Sequence, residues 1–309
     1  MAGAILKEVS VVVSTYSKDR LEYVVDCVES LKRQSYKPIE IFLVLDPVPE
    51  LVEFYRSKVL GDVRIVVSEK FGLSNARNSG VKRVSGEIIA FIDDDAVADV
   101  KWLENIVKNY EDPKVVGVGG FIKPSWESGA PAWFPEELNW IVGCSYKGLP
   151  ESKTCVRNPI GCNMSFRKDV FEKVGYFRSD LGRFGKRLLA GEEPEFSIRI
   201  LKKNPLSKIM YDPSAVVFHR INRGRASFSY LFKRSFYEGV SKALITSSSM
   251  VSNNSLSTES GYLKYLLRVA VPSRLRRIYL IRNLCQSMVL LFSVFVVFLG
   301  FSVVRLGSR

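Results

Sequence analysis

The segment GEIIAFIDDDAVADVKW (86–102) constrains the fold more than any other stretch of the chain. Ile88, Ile89, Ala90, Phe91 and Ile92 run without interruption into three carboxylates, Asp93, Asp94 and Asp95. A short continuous apolar run is what a strand covered on both faces requires. The acids then fall at the carboxyl end of that strand, against the core. Neighbouring anions repel, and a partly buried carboxylate must be paired, protonated or bound to a cation. Helix capping is the plainer alternative, since Asp99 or one of the three can cap a helix starting near Val100. One Asp would serve as a cap, so three ask for a further partner. Two carboxylates at a strand end can hold a divalent cation through oxygen ligands, and a cation there is most useful when it also binds phosphates.

The same strand-then-helix rhythm fills the first 125 residues. VSVVVST (9–15), IEIFLVLD (39–46), DVRIVVSE (62–69) and VVGVGGFIKP (115–124) read as further strands. Helical spacing marks Leu21 to Leu31, ELVEFYRSKV (50–59), LSNARNSGVKRV (73–84) and the stretch from Leu103 to Tyr110. This alternation predicts an α/β fold with a mainly parallel central sheet flanked by helices. Such sheets bind ligands at the carboxyl ends of their strands, where Thr15, Asp46 and the acid run all fall. Residues 125–160, rich in Pro, Gly and Trp, read as a long loop. Residues 160–222 mix short strands and helices, and the small polar residues of 246–260 read as a linker.

Charge and hydropathy narrow the setting. The chain has 309 residues and a formal charge of +13, which points to an anionic partner. A purely basic binding module for nucleic acid leaves the acid run without purpose, because an acid cluster repels phosphates unless a cation intervenes, so no nucleic-acid partner is expected. The five cysteines contain no CxxC and leave one unpaired, so a reducing compartment is expected, with neither a zinc site nor a disulfide framework. From Asn283 to Val304 there is no charged residue. About 20 apolar residues suffice to cross a bilayer, so 283–304 is expected to be a transmembrane helix. Lys264, Arg268, Arg274, Arg276, Arg277 and Arg282 precede it, and the positive-inside rule then keeps residues 1–280 cytoplasmic on a single-pass cell-membrane protein. GYLKYLLRVAVPSRLRR (261–277) is basic and amphipathic, as suits a membrane interface.

Four further groups carry chemistry. Asp46 ends the second strand before Pro47 and either accepts hydrogen bonds from a nucleobase or ribose or merely starts a turn. Arg77, in GLSNARNSG (72–80), lies near a helix start where a phosphate can sit, or is a surface residue. GEEPEFSIRI (191–200) places Glu192 and Glu193 at a helix mouth, as a general base or as capping groups. In the same motif Glu195 and Arg199 are spaced as an ion pair. His219, the only histidine, ends an apolar run and is either structural or a third metal ligand.

Taken in order, VSVVVSTYSKDRL, GLSNARNSGVKRVSGEIIAFIDDD, NPIGCNMSFRKDVFEKVGYF (158–177) and GEEPEFSIR resemble the motifs of a family 2 glycosyltransferase of the GT-A fold over roughly residues 8–222. With its C-terminal anchor the chain looks like archaeal enzymes of lipid-linked oligosaccharide assembly. The resemblance implies a nucleotide-sugar-binding half (1–125), an acceptor-binding half (126–245), a linker with a basic juxtamembrane segment (246–282) and the transmembrane helix (283–304). It implies that Thr15, Asp46 and Arg77 hold the nucleotide, with Arg199 among the arginines on the diphosphate. Asp93 and Asp95 would bracket the sugar diphosphate and a Mn²⁺ or Mg²⁺ ion, with Asp94 between them and His219 completing the metal site. Glu193 would be the base, with Glu192 its rival.

The expected reaction is inverting transfer from a nucleotide-diphosphate donor, UDP being the family's commonest, to a polyprenyl- or dolichyl-linked sugar, in glycan or protein N-glycosylation assembly. A phosphate acceptor is already ionised and needs no base, whereas a sugar hydroxyl does. The base motif therefore favours the hydroxyl over a bare polyprenyl phosphate. Trp126, Trp133, Phe134 and Trp140 either wall the acceptor sugar or pack the loop. Arg220, Arg223, Arg225, Lys233 and Arg234 either hold the lipid phosphate or form a general anionic-membrane patch.

Overall fold

The structure is a computed structural model that describes residues 8–37, 39–58, 60–185, 187–247, 256–276 and 281–307. Most of the expected linker (248–255), and Arg277 of the basic segment, lie outside the described residues. The chain forms two compact units. The first comprises 1–123, 150–184 and 192–219, and the second 124–149, 185–191 and 220–309. The units interleave along the sequence, whereas the halves implied by the resemblance are consecutive, because strands late in the chain return to the first unit's sheet.

That sheet begins as the sequence pattern requires. β1 (Val9–Thr15), β2 (Ile39–Leu45), β3 (Val63–Val67) and β4 (Ile88–Asp93) are parallel, with Val13 opposite both Leu43 and Ile92. The apolar side chains of β1, β4 and most of β2 are buried on both faces, which takes their surface out of water on each side, while β3 at the sheet edge is only half-buried. α1 (Leu21–Lys32), α2 (Pro49–Arg56) and α3 (Leu73–Val81) make the crossovers. Parallel pairing stops at β4. Beyond it β8 (Asn163–Arg167) runs antiparallel to β4 and to β6 (Val115–Trp126), and β5 (Ala96–Ala98) and β7 (Thr154–Cys155) each pair antiparallel with β9 (Lys208–Ile221). The full order is β3-β2-β1-β4-β8-β6-β9-β5, with β7 against β9.

One face of the sheet carries α3, α5 (Lys168–Val174) and α6 (Glu192–Lys203) over an aromatic cluster. Phe171 stacks on Phe196 at 4.7 Å, and Phe91, Phe166 and Phe177 close around them. On the other face α4 (Trp102–Lys108) buries Trp102, whose indole N–H donates to Asn163 Oδ1 at 2.8 Å. Asn163 in turn donates to Phe121 O and Ala215 O, which fastens β6, β8 and β9 at one point. A buried side-chain amide with its partners satisfied costs little and fixes register.

The second unit is helical. α7 (Phe228–Thr246), α8 (Ser257–Tyr265), a π-type turn (266–270), α9 (Val271–Leu275) and α10 (Ile281–Gly307) account for most of it. α10 is long and apolar enough to cross a membrane. It lies along α7 with almost no separation: a Cβ added at Gly239 would meet Val297 O at 2.0 Å, and one at Gly300 would meet Phe236 O at 2.1 Å. Ser235 and Ser293 hydrogen-bond within this seam. Small residues permit such close backbone approach, the usual device between helices in lipid. On α7, Arg234 and Lys242 each reach Glu238, and Lys242 also reaches Glu259 of α8. The expected aromatic wall is here a packed group: Trp126 and Trp133 each meet Phe134 edge-on, Trp133 stacks on Phe228, and Trp140 faces the Arg234 guanidinium.

Candidate active site

The carboxyl ends of β1, β2 and β4 form one rim of the first unit, and most of the predicted residues meet there. Ser14 pairs with Asp93 across β1 and β4, and Thr15 with Leu45 across β1 and β2, which brings Asp46 level with Thr15; Asp46 N–H donates to Thr15 O at 3.3 Å. The pairing of Ala96 with His219 between β5 and β9 sets His219 beside the acid run although 124 positions separate it from Asp95. His219 Nε2 lies 3.0 Å from Asp95 Oδ1, with both side chains buried.

The three acids have different surroundings. Arg20 grips Asp94 through two bonds, Nε to Oδ2 at 2.6 Å and Nη2 to Oδ1 at 2.5 Å, and also reaches Asp95 Oδ2 at 2.9 Å. Burial nevertheless pushes the Asp94 carboxyl up to about 6, against the pull of Arg20 and with Asp95 adding repulsion. Asp93 is the more open of the three and takes Arg77 Nη2 at 3.2 Å. Beneath the run, burial and then the field of Asp94, Asp95 and Asp93 push the Cys27 thiol far above its ordinary value.

Arg77, expected near a phosphate, is buried and joins two halves of the rim. Its Nη1 donates to Glu192 Oε1 at 2.8 Å, and its Nη2 to Gly161 O at 3.0 Å as well as to Asp93. Gly161 packs closely here: a Cβ would stand 3.1 Å from Arg77 Nη2 and 3.4 Å from Glu193 Oε1 and would press on both side chains. Gly161 N–H donates to Glu193 Oε1 at 3.3 Å. Glu192 and Glu193 lie in the first turn of α6, so both carboxylates face a helix N-terminus, where negative charge is favoured. Glu192 is buried and bound to Arg77, whereas Glu193 is partly exposed.

Asp46 is half-buried, and burial raises its carboxyl above the ordinary range, with the Gly72 backbone N–H pulling the other way. Arg199 is not brought to the rim. It grips Glu195 with two nitrogens and donates to Val174 O and Tyr176 O, so its guanidinium fastens α6 to the chain after α5. Two neighbours escaped the sequence reading. Arg20 lies one short turn beyond β1, and its position just past a strand end was the available signal. Cys162 stands with Asp93 and His219, their ligand atoms all within 4.8 Å of one another.

The rim as a whole is electron-rich. Asp93, Asp94, Asp95 and Glu192 share the guanidiniums of Arg20 and Arg77, with Glu193 alongside. The donor set fits a divalent ion: the ligand atoms of Asp93, Cys162 and His219 lie within 4.8 Å of one another, close enough to share one cation, and Asp95 is hydrogen-bonded to His219 at their side.

The sequence pattern described as glycosyl transferase family 2 matches residues 10–175, the span that carries β1 to β4, the acid run and β8. The chain belongs to glycosyltransferase family 2. It is 37% identical over 277 residues to the glucosyl-dolichyl phosphate glucuronosyltransferase of Haloferax volcanii, covering 88% of this chain and 87% of that protein. Two solved structures share the GT-A fold. The Pyrobaculum calidifontis mannosyltransferase, in complex with GDP-Man and Mn²⁺, superposes with a TM-score of 0.60 at 14% identity over 99% of this chain and 89% of that one. GalNAc-T7, with UDP, GalNAc and Mn²⁺, gives 0.53 at 16% identity over 86% of this chain and 57% of that one. For this family 2 glycosyltransferase, the rim is thus the place where sequence motif, sheet topology and charge coincide.

Proposed function

We propose that the chain transfers a sugar, with inversion, from a nucleoside diphosphate donor to a hydroxyl of a lipid-linked saccharide at the membrane surface. The observation that carries this reading is the buried acid run with His219 on one side and Glu193 across the rim. Likeness to a dolichyl phosphate glucuronosyltransferase supports the lipid-linked acceptor. α10 would anchor the enzyme, with its basic N-terminal flank and the catalytic unit on the cytoplasmic side.

The residues take separable roles. Asp46 accepts hydrogen bonds from the nucleobase or ribose, beside Thr15. Asp93 holds the donor at the open edge of the run. Asp95 and His219 would hold a Mn²⁺ or Mg²⁺ ion, which supplies charge neutralisation for the diphosphate that leaves. Arg20 orients Asp94 and Asp95 and offsets part of their charge; Arg77 adds a fixed positive charge and holds Glu192. Glu193, more exposed than Glu192, takes the proton of the attacking hydroxyl as the new glycosidic bond forms and the bond to the diphosphate breaks. A positioned base contributes typically about 10²–10⁴ in rate.

The test is a screen of nucleotide sugars against lipid extracts with the full chain in membranes, read by mass spectrometry of the lipid product. A product one sugar heavier than a lipid-linked saccharide, absent with chelator, is expected. Sugar added to bare polyprenyl phosphate, with Glu193 dispensable, would replace the hydroxyl-acceptor reading by a synthase.

A further inference from the structure

The second unit contains a basic groove that the reaction above does not use. It has a volume of about 720 Å³ and is lined chiefly by Lys147, Arg274, Arg276, Arg282, Asn283 and Gln286. No carboxylate lines it. Arg274 is its fastener: both terminal nitrogens hold the buried Glu137, at 2.6 and 2.9 Å, and Gln286 donates to Ala132 O. Tyr262 adds a hydrogen bond to Glu137 O. The wall is therefore built before any ligand arrives. Lys147, Arg276 and Arg282 are different. They are exposed and have no ion-pair partner among the described residues.

Two other features act on the same space. The groove lies beside the first described turns of α10, which contribute Arg282, Asn283 and Gln286 to its lining. From that point α10 leads away as an exposed apolar face through Leu284, Met288, Leu291 and Phe295. A ligand that satisfies both ends has an anionic head and a long hydrocarbon tail. We propose that the Lys147–Arg276–Arg282 groove seats the phosphate of the isoprenoid-linked acceptor, with its tail running along α10. This rests on the lipid-linked reading above. It also moves the expected lipid-phosphate contact, because Arg234 is paired with Glu238 and Arg223 donates to Ser128.

The phosphate itself is chemistry shared by an isoprenoid phosphate, a phospholipid headgroup and free phosphate, so the experiment separates the three. The full chain in detergent is titrated with farnesyl phosphate, farnesol, phosphatidylglycerol and inorganic phosphate, with binding read by native mass spectrometry and calorimetry. Farnesyl phosphate is expected to bind and farnesol not to. The double variant Arg276→Gln, Arg282→Gln is expected to weaken farnesyl phosphate at least tenfold, since each charge-assisted contact is worth about that factor; Lys147→Gln is expected to weaken it less. Nucleotide-sugar binding, measured in the same samples, stays unchanged and shows that the variants are folded. Wild-type affinity in the double variant would overturn the proposal, as would phosphatidylglycerol or inorganic phosphate binding as tightly as farnesyl phosphate. Because the readout is binding alone, it stands apart from the transfer assay, whose failure would count against the reaction and not against the groove.

Discussion

The parallel strands carry carboxylates at both rims of the sheet, Glu40 of β2 at the amino end and the acid run after β4 at the carboxyl end, and the two ends are built on opposite terms. At the amino end, Glu40 accepts from Ser10 Oγ at 2.7 Å, from Ser85 N–H at 3.2 Å and from Arg64 at 2.5 Å. Burial pushes this carboxyl up, but the hydrogen bonds and Arg64 outweigh it and hold it below its ordinary value. At the carboxyl end, Asp94 has two bonds from Arg20 and still sits high, because it is buried among other acids. A carboxylate surrounded by matched donors ties the strands together. A cluster in excess of its donors weakens the apo fold and is retained where a cation and a phosphorylated ligand complete it.

Four substitutions test that contrast, beginning with the largest effect. Asp95→Asn is expected to abolish transfer, by at least about 10³-fold, while the melting temperature stays level or rises; turnover near wild type in a folded variant would remove the acid run from the chemistry. Glu193→Gln should lower kcat with a hydroxyl acceptor by about 10²–10⁴, with donor affinity unchanged, and an equal loss from Glu192→Gln alone would transfer the role. Arg20→Gln strips Asp94 and Asp95 of their shared cation and should cost about 3–5 kcal/mol of stability; the comparison sharpens if Mn²⁺ restores more melting temperature to this variant than to the parent. Ser10→Ala, at the other end, should cost about 1 kcal/mol near neutral pH and leave transfer intact. The sign of its pH dependence follows from the depressed Glu40 value. Stability from an ionised Glu40 is present above the ordinary glutamate range and is lost as pH falls through the lower folded value, so the penalty of Ser10→Ala should fade in acid denaturation curves.

The parallel half was legible because strands buried on both faces write themselves as unbroken apolar runs, and the acid run stands out at the end of one. In the antiparallel half only β6 was legible, since NMSFR in β8 and KIMYDPSAVVFHRI in β9 mix polar and apolar residues and acquire meaning only through pairing. His219 shows the boundary well. Its isolation in the sequence raised the question of a ligand, but its place beside Asp95 depends on the Ala96–His219 register. Arg20 and Cys162 were missed for the same reason, each reaching the rim through tertiary contact with residues far along the chain. Arg199 went astray the other way: its motif matched, while a local pair with Glu195 and two backbone carbonyls absorbed its charge.

The glycine crossing between α7 and α10 bears on how this enzyme can be handled. Gly239 and Gly300 let the two backbones touch, so removing α10 to obtain a water-soluble fragment would uncover a trench along α7 with its small residues and Ser235 hydroxyl stripped of cover. Shortened versions that begin their deletion at 281 should therefore clump or fold poorly, and preparations that keep the tail in micelles are the better starting material.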